Sequence, residues 1–213
     1  MLTVFLLISG WFFSSSFFLI NQATLRGGFN IIPLIFLFFA PAITMRLISE
    51  EKKSGTIELL VTMPVRDSEI ILGKFFAAMA LLSVAVLLTF PYAIIISFLG
   101  DLDWGPVMGG YLGLILMGAA YLAIGLFASS LTENQVVAFI VALLFAFTLF
   151  MLDKVLMFVP QGLVSILEYL SIEYHFTNIS RGVIDSRDII YYLSLIIFSL
   201  LLAVRGLGSR RWR

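Results

Sequence analysis

The chain has 213 residues, 61% of them hydrophobic and 21 of them phenylalanine, and its mean hydropathy is +1.09. This composition excludes a protein that water keeps dispersed. The 13 acidic and 13 basic residues balance, so charge gives no reason to expect nucleic acid as a partner, and the absence of cysteine excludes disulfides and thiolate metal sites.

Long apolar runs predict helices that cross a membrane. A crossing helix needs about 20 predominantly apolar residues, and its backbone polar groups must be paired within the segment. These runs are apolar on every face, which does not fit the alternating pattern of a membrane β-barrel. Six runs are present, at about residues 2–20, 29–48, 73–98, 107–130, 136–157 and 189–205. We therefore expect an all-α integral membrane protein with six transmembrane helices, forming a single transmembrane domain over residues 1–213.

Basic residues predict which side of the membrane each loop faces. If the N-terminus is cytoplasmic, nine Lys and Arg residues lie inside and four outside, which favours this orientation. The inside set is Arg46, Lys52, Lys53, Arg66, Lys74, Arg205, Arg210, Arg211 and Arg213, and the outside set is Arg26, Lys154, Arg181 and Arg187. Both termini and the loop over residues 49–74 are thus predicted to be cytoplasmic.

The loop after the second run concentrates charge in an otherwise apolar chain. Within it, Gly55 precedes a short amphipathic helix in which Ile57, Leu60 and Val61 share one face, and Pro64 prevents that helix from continuing. Asp67 is expected to cap the helix of the third span. One interpretation is an ordinary solvated loop. The other is a docking element for a soluble partner, because motion at such a helix would reach two spans directly.

A family resemblance bears on these alternatives. Residues 39–74, "FAPAITMRLISEEKKSGTIELLVTMPVRDSEIILGK", resemble the second span and first cytoplasmic loop of ABC-2 type transporter permeases. Residues 129–139, "SSLTENQVVAF", resemble the turn between the fourth and fifth spans of that family. Residues 174–194, "YHFTNISRGVIDSRDIIYYLS", resemble the last external segment of its gliding-motility-associated (GldF-like) and NosY-like branch. The matching positions in the first segment are Pro41, Thr44, Met45, Arg46, Glu50, Glu51, Lys52, Gly55, Thr56, Glu58, Leu60, Pro64, Val65, Gly73 and Lys74.

The resemblance implies a transport subunit of an ATP-driven exporter in a bacterial inner membrane, with a link to gliding motility. It implies that "GTIELLVTMP" is a coupling helix resting on a separate ABC ATPase subunit, which would bind ATP and Mg²⁺. It also implies a second copy of this permease, or a similar one, as a dimer partner. The residues implied in ATPase coupling are Glu50, Glu51, Lys52, Gly55, Thr56, Ile57, Glu58, Leu60, Val61 and Pro64.

Two features of the chain concern its energy source and its N-terminus. The chain has no P-loop motif, so we expect no nucleotide or other cofactor in this subunit and no enzymatic activity of its own. Family members usually begin with a cytoplasmic connector helix before the first span, whereas this chain starts directly at "MLTVFLLISGWFF". We therefore expect that connector helix to be missing.

The stretch between the fifth and sixth runs is too long for a simple turn. Its apolar residues recur at helical spacing until Gly182 breaks the pattern, which predicts one or two short helices dipping into the outer leaflet. The resemblance implies that this stretch is an external re-entrant helical hairpin that gates the outer end of the pathway. The gate residues implied are Leu163, Leu167, Tyr174, His175, Phe176, Arg181 and Gly182.

Other signals leave alternatives open. His175 is the one histidine of the chain, and we expect it to pack at the membrane interface, because a metal site or a catalytic triad needs several further partners. The motif Gly109-x-x-x-Gly113 predicts close helix packing, either inside one bundle or at a dimer seam, and the first is favoured. Two other functions are alternatives to the exporter. One is a membrane anchor or assembly factor with a permease-like fold. The other is an intramembrane enzyme, which is disfavoured because the spans lack charged residues near their centres.

Overall fold

The computed structural model describes residues 2–20, 24–57, 65–158 and 160–208. Every regular element in these residues is helical and none is a β-strand, which confirms the all-α class. The α-helices are α1 (Leu2–Ile20), α2 (Arg26–Thr44), α3 (Ser49–Ser54), α4 (Asp67–Leu87), α5 (Phe90–Leu99), α6 (Trp104–Leu131), α7 (Gln135–Val155), α8 (Gln161–Leu170), α9 (Ile172–Ser180) and α10 (Ser186–Gly208). A 3-10 turn at Leu156–Phe158 directly follows α7.

Five helical stretches among the described residues are long and apolar enough to cross a membrane. They are Gly27–Ser54, Asp67–Leu99, Trp104–Leu131, Gln135–Val155 and Ser186–Gly208, which match the predicted second to sixth spans. Helix α1 corresponds to the predicted first span, but its apolar part at Leu2–Ser15 is shorter than the other five. The count of six spans therefore stays a prediction.

Helix α6 lies at the centre of the bundle. It contacts α2, α4, α7, α9 and α10, and 78% of its most apolar stretch is buried, against 22% for α7. Small residues allow these contacts. A Cβ atom on Gly125 would lie 2.0 Å from the Thr44 hydroxyl oxygen of α2, so the two helices approach as closely as they do only because this residue is glycine.

The two ends of α6 define the two ends of the bundle. Its C-terminal residues contact α3, and its N-terminal residues contact α9. A Cβ atom on Gly109 would lie 2.3 Å from the backbone oxygen of Ile179, and one on Gly113 would touch the ring of Phe176. The Gly109-x-x-x-Gly113 motif therefore packs inside one bundle, as favoured above. We call the end at α3 the elbow end and the end at α9 the hairpin end.

Proline interrupts one long span and not another. Helix α4 ends at Leu87 and α5 begins at Phe90, so the span breaks just ahead of Pro91, and the Thr89 hydroxyl donates to the Val86 carbonyl at 2.6 Å in the break. Helix α2, by contrast, continues through both Pro33 and Pro41. The start of α4 corrects one expectation. Asp67 is its first helical residue and not its cap, and the backbone N–H of Arg66 donates to the Glu69 carboxylate at 2.9 Å.

Two short helices, α8 and α9, occupy the stretch before the last span, as the sequence predicts. Gly182 follows them with a φ of 86°, a left-handed conformation that side-chain-bearing residues rarely adopt. Two apolar residues of α8 face away from the bundle, because Ile166 is 57% exposed and Leu170 is 46% exposed, whereas Leu167 is partly buried. The side chain of Leu163, also on α8, lies outside the described part of the chain. Whether this hairpin is re-entrant stays a prediction.

Candidate functional site

The chain makes a compact bend between the second and third spans, over residues 45–57, which we call the elbow. Helix α2 ends at Thr44, a turn covers residues 45–48, and α3 follows from Ser49 to Ser54. Gly55 ends α3 with a φ of 74°. Its backbone N–H donates to the Lys52 carbonyl at 3.4 Å, as in a left-handed helix cap. The sequence predicted a helix after Gly55, and the structure places a further short helix before it.

The hydroxyl of Ser129, near the end of α6, binds the turn that leads into α3. It accepts from the backbone N–H groups of Ile48 at 3.2 Å and Ser49 at 3.1 Å, and it donates to the Met45 carbonyl at 3.1 Å. The first N–H groups of a helix have no partner within the helix, so an outside acceptor is needed where they are buried. A side chain of α6 therefore caps α3 and holds the turn.

Lys52 fixes the elbow to the same end of α6. Its side chain is buried, and its ammonium group donates to the backbone carbonyl of Ser130. The last carbonyls of a helix lack partners within the helix and carry its partial negative charge, so an ammonium group is favoured there. Lys52 thus points into the bundle, whereas the neighbouring Lys53 is exposed.

Lys74 joins the elbow to α4. Its ammonium group donates to the Leu47 carbonyl and to the Glu51 carboxylate, each at 2.6 Å. The Lys74 and Glu51 side chains are only 19% and 27% exposed, so solvent screens this pair less than it screens an open surface pair. The elbow is therefore bonded to α4 as well as to α6.

The predicted coupling residues divide into three groups. Glu50, Gly55 and Thr56 are exposed on the elbow. Glu51, Lys52 and Ile57 face inward, with Ile57 only 6% exposed within the apolar core, so Ile57 seats the elbow against its own bundle. The others lie outside the described residues, and their roles stay predictions: Glu58, Leu60, Val61 and Pro64.

At the hairpin end His175 has polar partners that the sequence does not predict. Its side chain is buried, both of its ring nitrogens contact a polar partner, and its ring centre lies 5.5 Å from that of Tyr174. Its position at the membrane interface stays a prediction. Nδ1 lies 2.6 Å from the carboxylate of Asp188 on α10, and Nε2 lies 2.9 Å from the carbonyl of Tyr169 on α8. The ring also stacks on Tyr191, with the ring centres 4.0 Å apart.

The other implied gate residues surround this contact. Phe176 is buried against Gly113 of α6, while Tyr174 and Leu167 are partly buried. Arg181 and Gly182 are exposed where α9 ends, and a Cβ atom on Gly182 would lie 3.1 Å from the backbone at the start of α6. These positions place α9 across the N-terminal end of α6.

A buried carboxyl group, that of Glu173, lies two residues before His175 in α9. Glu173 is 9% exposed, and its Oε2 atom has no hydrogen-bond partner among the described residues. Burial raises the pKa of Glu173, Lys154 opposes that shift, and Asp153 adds to it. Burial therefore favours the protonated form of Glu173 more than water does.

Several residues at these two ends were not identified from the sequence. Ser129 could have been suspected, because Ser129 and Ser130 form a polar pair at the end of an apolar run. Asp188, Tyr191 and Tyr192 carry no local signal of pairing. Their partners lie 13 to 21 residues away in the chain, so only the packing of α8 and α9 on α10 brings them together.

Comparison with known proteins identifies a family. The sequence model of the family described as ABC-2 family transporter protein matches residues 9–207. No match among curated proteins reaches significance. The family match covers all five apolar spanning helices, the elbow and the hairpin. The chain is therefore a member of the ABC-2 transporter family, a multi-pass membrane permease component of an ABC transporter.

Proposed function

We propose that this chain is the permease subunit of an ATP-driven exporter and that its elbow receives the motion of a separate ABC ATPase. Membership of the ABC-2 family supports an ATPase partner in general. The observation that carries the proposal is the attachment of the elbow to two spans. Ser129 and Ser130 hold it on α6, and Lys74 holds it on α4.

These bonds give the elbow a mechanical role. A segment bonded to two helices cannot shift without moving them or breaking the bonds, and packed helices move as rigid units. Helix α6 contacts most of the bundle, so a displacement at the elbow would reach the hairpin end through it. An ordinary solvated loop has no such attachments.

The remaining parts of the proposal follow from the resemblance. ATP and Mg²⁺ are bound by the partner subunit, and this chain holds no cofactor. Two permease copies, or this chain and a similar permease, form the pathway in a bacterial inner membrane, surrounded by lipid. The likeness of residues 174–194 to the gliding-motility-associated and NosY-like branch supports a role in that group of exporters. The hairpin gates the outer end, with Leu163 and Leu167 on α8.

The orientation can be tested by thiol labelling, because the chain has no cysteine of its own. Ser54 at the elbow and Ser186 at the start of α10 are both exposed. With single cysteines at these positions in intact cells, an impermeant thiol reagent should label only Ser186→Cys, because the elbow faces the cytoplasm. Both variants should react after the membrane is permeabilised. Labelling of Ser54→Cys in intact cells would reverse the proposed orientation.

The ATPase partnership can be tested by reversing one charge in the predicted coupling helix. We expect Glu58→Lys to weaken copurification of an ABC ATPase encoded beside this chain, and to lower hydrolysis stimulated by the permease. Losing one member of a buried charge pair costs about 2–5 kcal/mol, whereas a solvated charge costs less than about 0.5 kcal/mol.

Asp101→Lys provides the matched control, because Asp101 is exposed at the opposite end of the bundle and undergoes the same change of charge. Near-normal behaviour of both variants would contradict the docking role of the coupling helix. Normal insertion with ATPase binding but no stimulation by wild-type permease would favour the membrane anchor or assembly factor.

A further inference from the structure

Side-chain contacts join the junction between α8 and α9 to the last span, α10. Tyr191 of α10 donates to the Leu170 carbonyl at 2.7 Å, and Tyr192 of α10 donates to the Ile172 carbonyl at 2.8 Å. His175 of α9, which contacts Asp188 of α10, lies 2.9 Å from the Tyr169 carbonyl. Tyr169 and Leu170 lie in the last turn of α8, where carbonyls lack partners within the helix, so burial makes outside donors necessary there. These donors therefore stabilise the closed position of the junction against α10.

The bonds of His175 require one more proton than a neutral histidine beside a carboxylate would carry. A carbonyl oxygen can only accept, so Nε2 must carry a hydrogen to bond Tyr169. In the neutral ring Nδ1 would then be a lone pair, which cannot bond an ionised carboxylate. The contact of 2.6 Å between Nδ1 and Asp188 Oδ1 therefore needs a further proton, on the ring or on the carboxyl group.

We propose that His175, Asp188 and the Tyr169 carbonyl form a proton-dependent latch that holds the α8–α9 hairpin closed against α10. Its role in gating rests on the proposed function, because there the hairpin covers the outer end of the pathway. The closed latch binds one proton that the open latch releases when His175 becomes a neutral ring beside an ionised Asp188. By linkage, falling pH favours closure and rising pH favours opening.

The surroundings of the ring agree with a bound proton. The ring stacks on Tyr191, and an aromatic face attracts a cation. Asp188 is 3% exposed, and its second oxygen, Oδ2, has no hydrogen-bond partner among the described residues. The hydrogen bond to Nδ1 of His175 is therefore a main source of stabilisation for this buried carboxyl group. The rings of Tyr169 of α8, Tyr174 of α9 and Tyr192 of α10 also contact the His175 ring. One step further out, Tyr121 of α6 interacts with Tyr191, Tyr192 and Glu173, and Asp153 and Lys154 of α7 interact with Glu173.

Glu173 acts in the same direction and must be separated from the latch. Because burial raises the pKa of Glu173 in the closed hairpin, that carboxyl group also holds its proton better when closed than when open. Its contribution to closure is present at low pH and is lost as pH rises through the raised pKa. Glu173→Gln removes this second titration and leaves the latch intact.

The test measures opening of the hairpin in the full-length protein in lipid nanodiscs, where reagents reach both faces. Ser171 lies at the junction and is fully buried, so the reactivity of Ser171→Cys reports opening. Exposed Ser186→Cys reports the intrinsic pH dependence of thiol labelling. We expect the ratio of the two labelling rates to rise about tenfold or more between about pH 5 and about pH 9, in wild type and in Glu173→Gln backgrounds.

Asp188→Asn distinguishes a proton-dependent latch from a merely structural contact. The asparagine amide can donate to Nδ1 of a neutral ring while Nε2 still donates to Tyr169, so closure no longer needs the extra proton. The labelling ratio should then stay low and independent of pH. If this variant fails to fold, His175→Gln, which has no titrating side chain, should likewise abolish the pH dependence.

Three outcomes would overturn the proposal: a flat ratio in wild type, an unchanged pH dependence in Asp188→Asn, or loss of the pH dependence in Glu173→Gln. Because His175 is the one histidine, its ¹⁵N ring signals give an independent check. They should change over the same pH interval as the labelling ratio, and a change confined to another interval would contradict the latch. None of these measurements uses an ATPase, so failure of the latch and failure of the proposed coupling are separately visible.

Discussion

Replacing Lys52 with methionine should uncouple the permease from its ATPase without preventing the two from binding. The Lys52 side chain is buried and bonds the Ser130 carbonyl, so it contributes to the attachment of the elbow and presents no charge to a partner. Methionine keeps an apolar stem of similar length but removes the ammonium group. A hydrogen bond to a charged group contributes about 1.5–3 kcal/mol, and Ser130 would lose its donor.

The expected result is an ATPase affinity within about threefold of wild type and a fall of about tenfold or more in ATPase activity stimulated by the permease. Lys53→Met is the matched control, because Lys53 adjoins Lys52 in the chain but is exposed. Copurification measures binding, and hydrolysis in proteoliposomes measures coupling. Equal effects of the two variants on stimulated hydrolysis would show that the hydrogen bond from Lys52 to Ser130 has no role in coupling the ATPase to the permease.

Replacing Gly109 with alanine should destabilise the bundle and loosen the hairpin. The added Cβ atom would lie 2.3 Å from the Ile179 backbone oxygen and 3.3 Å from the Gly182 Cα atom, so the backbone of α9 would have to move. Overpacking at such a contact costs about 1–3 kcal/mol. Thermal denaturation in detergent should show this loss, and Ser171→Cys should label faster at every pH, because displacement of α9 weakens its contact with α10.

Gly73→Ala is the control for the change of backbone. Gly73 lies within α4, and a Cβ atom there would have no neighbour within 4 Å. Alanine is a better helix former than glycine, so this variant should gain about 0.5–1 kcal/mol. A gain at Gly109 similar to that at Gly73 would mean that α9 does not pack on α6 as described.

The sequence predicts the position of the elbow, because the elbow contains a local sequence motif. The segment over residues 39–74 identified the elbow because its glycines, prolines and charged residues recur at fixed short spacings along the chain. The attachments of the elbow could not be predicted, since Ser129 lies 80 residues from Ser49 and Ser130 lies 78 residues from Lys52. His175 shows the same limit. Its neighbours in the sequence suggested simple packing, whereas its partners come from two other helices.

By itself, the sequence determined that the chain lies in a membrane, that it is helical and which family it resembles. Apolar runs long enough to cross a bilayer can satisfy their backbone only as helices or closed barrels, and these runs lack the alternation of a barrel. Which helix forms the centre was decided only by the tertiary structure. The most apolar stretches of α6 and α7 have mean hydropathies of 2.0 and 2.6, so the more buried one is the less apolar. Lipid tails are as apolar as a protein core, so hydropathy does not distinguish a central helix from a peripheral one. Close packing of small residues and polar contacts such as His175 with Asp188 decide the arrangement.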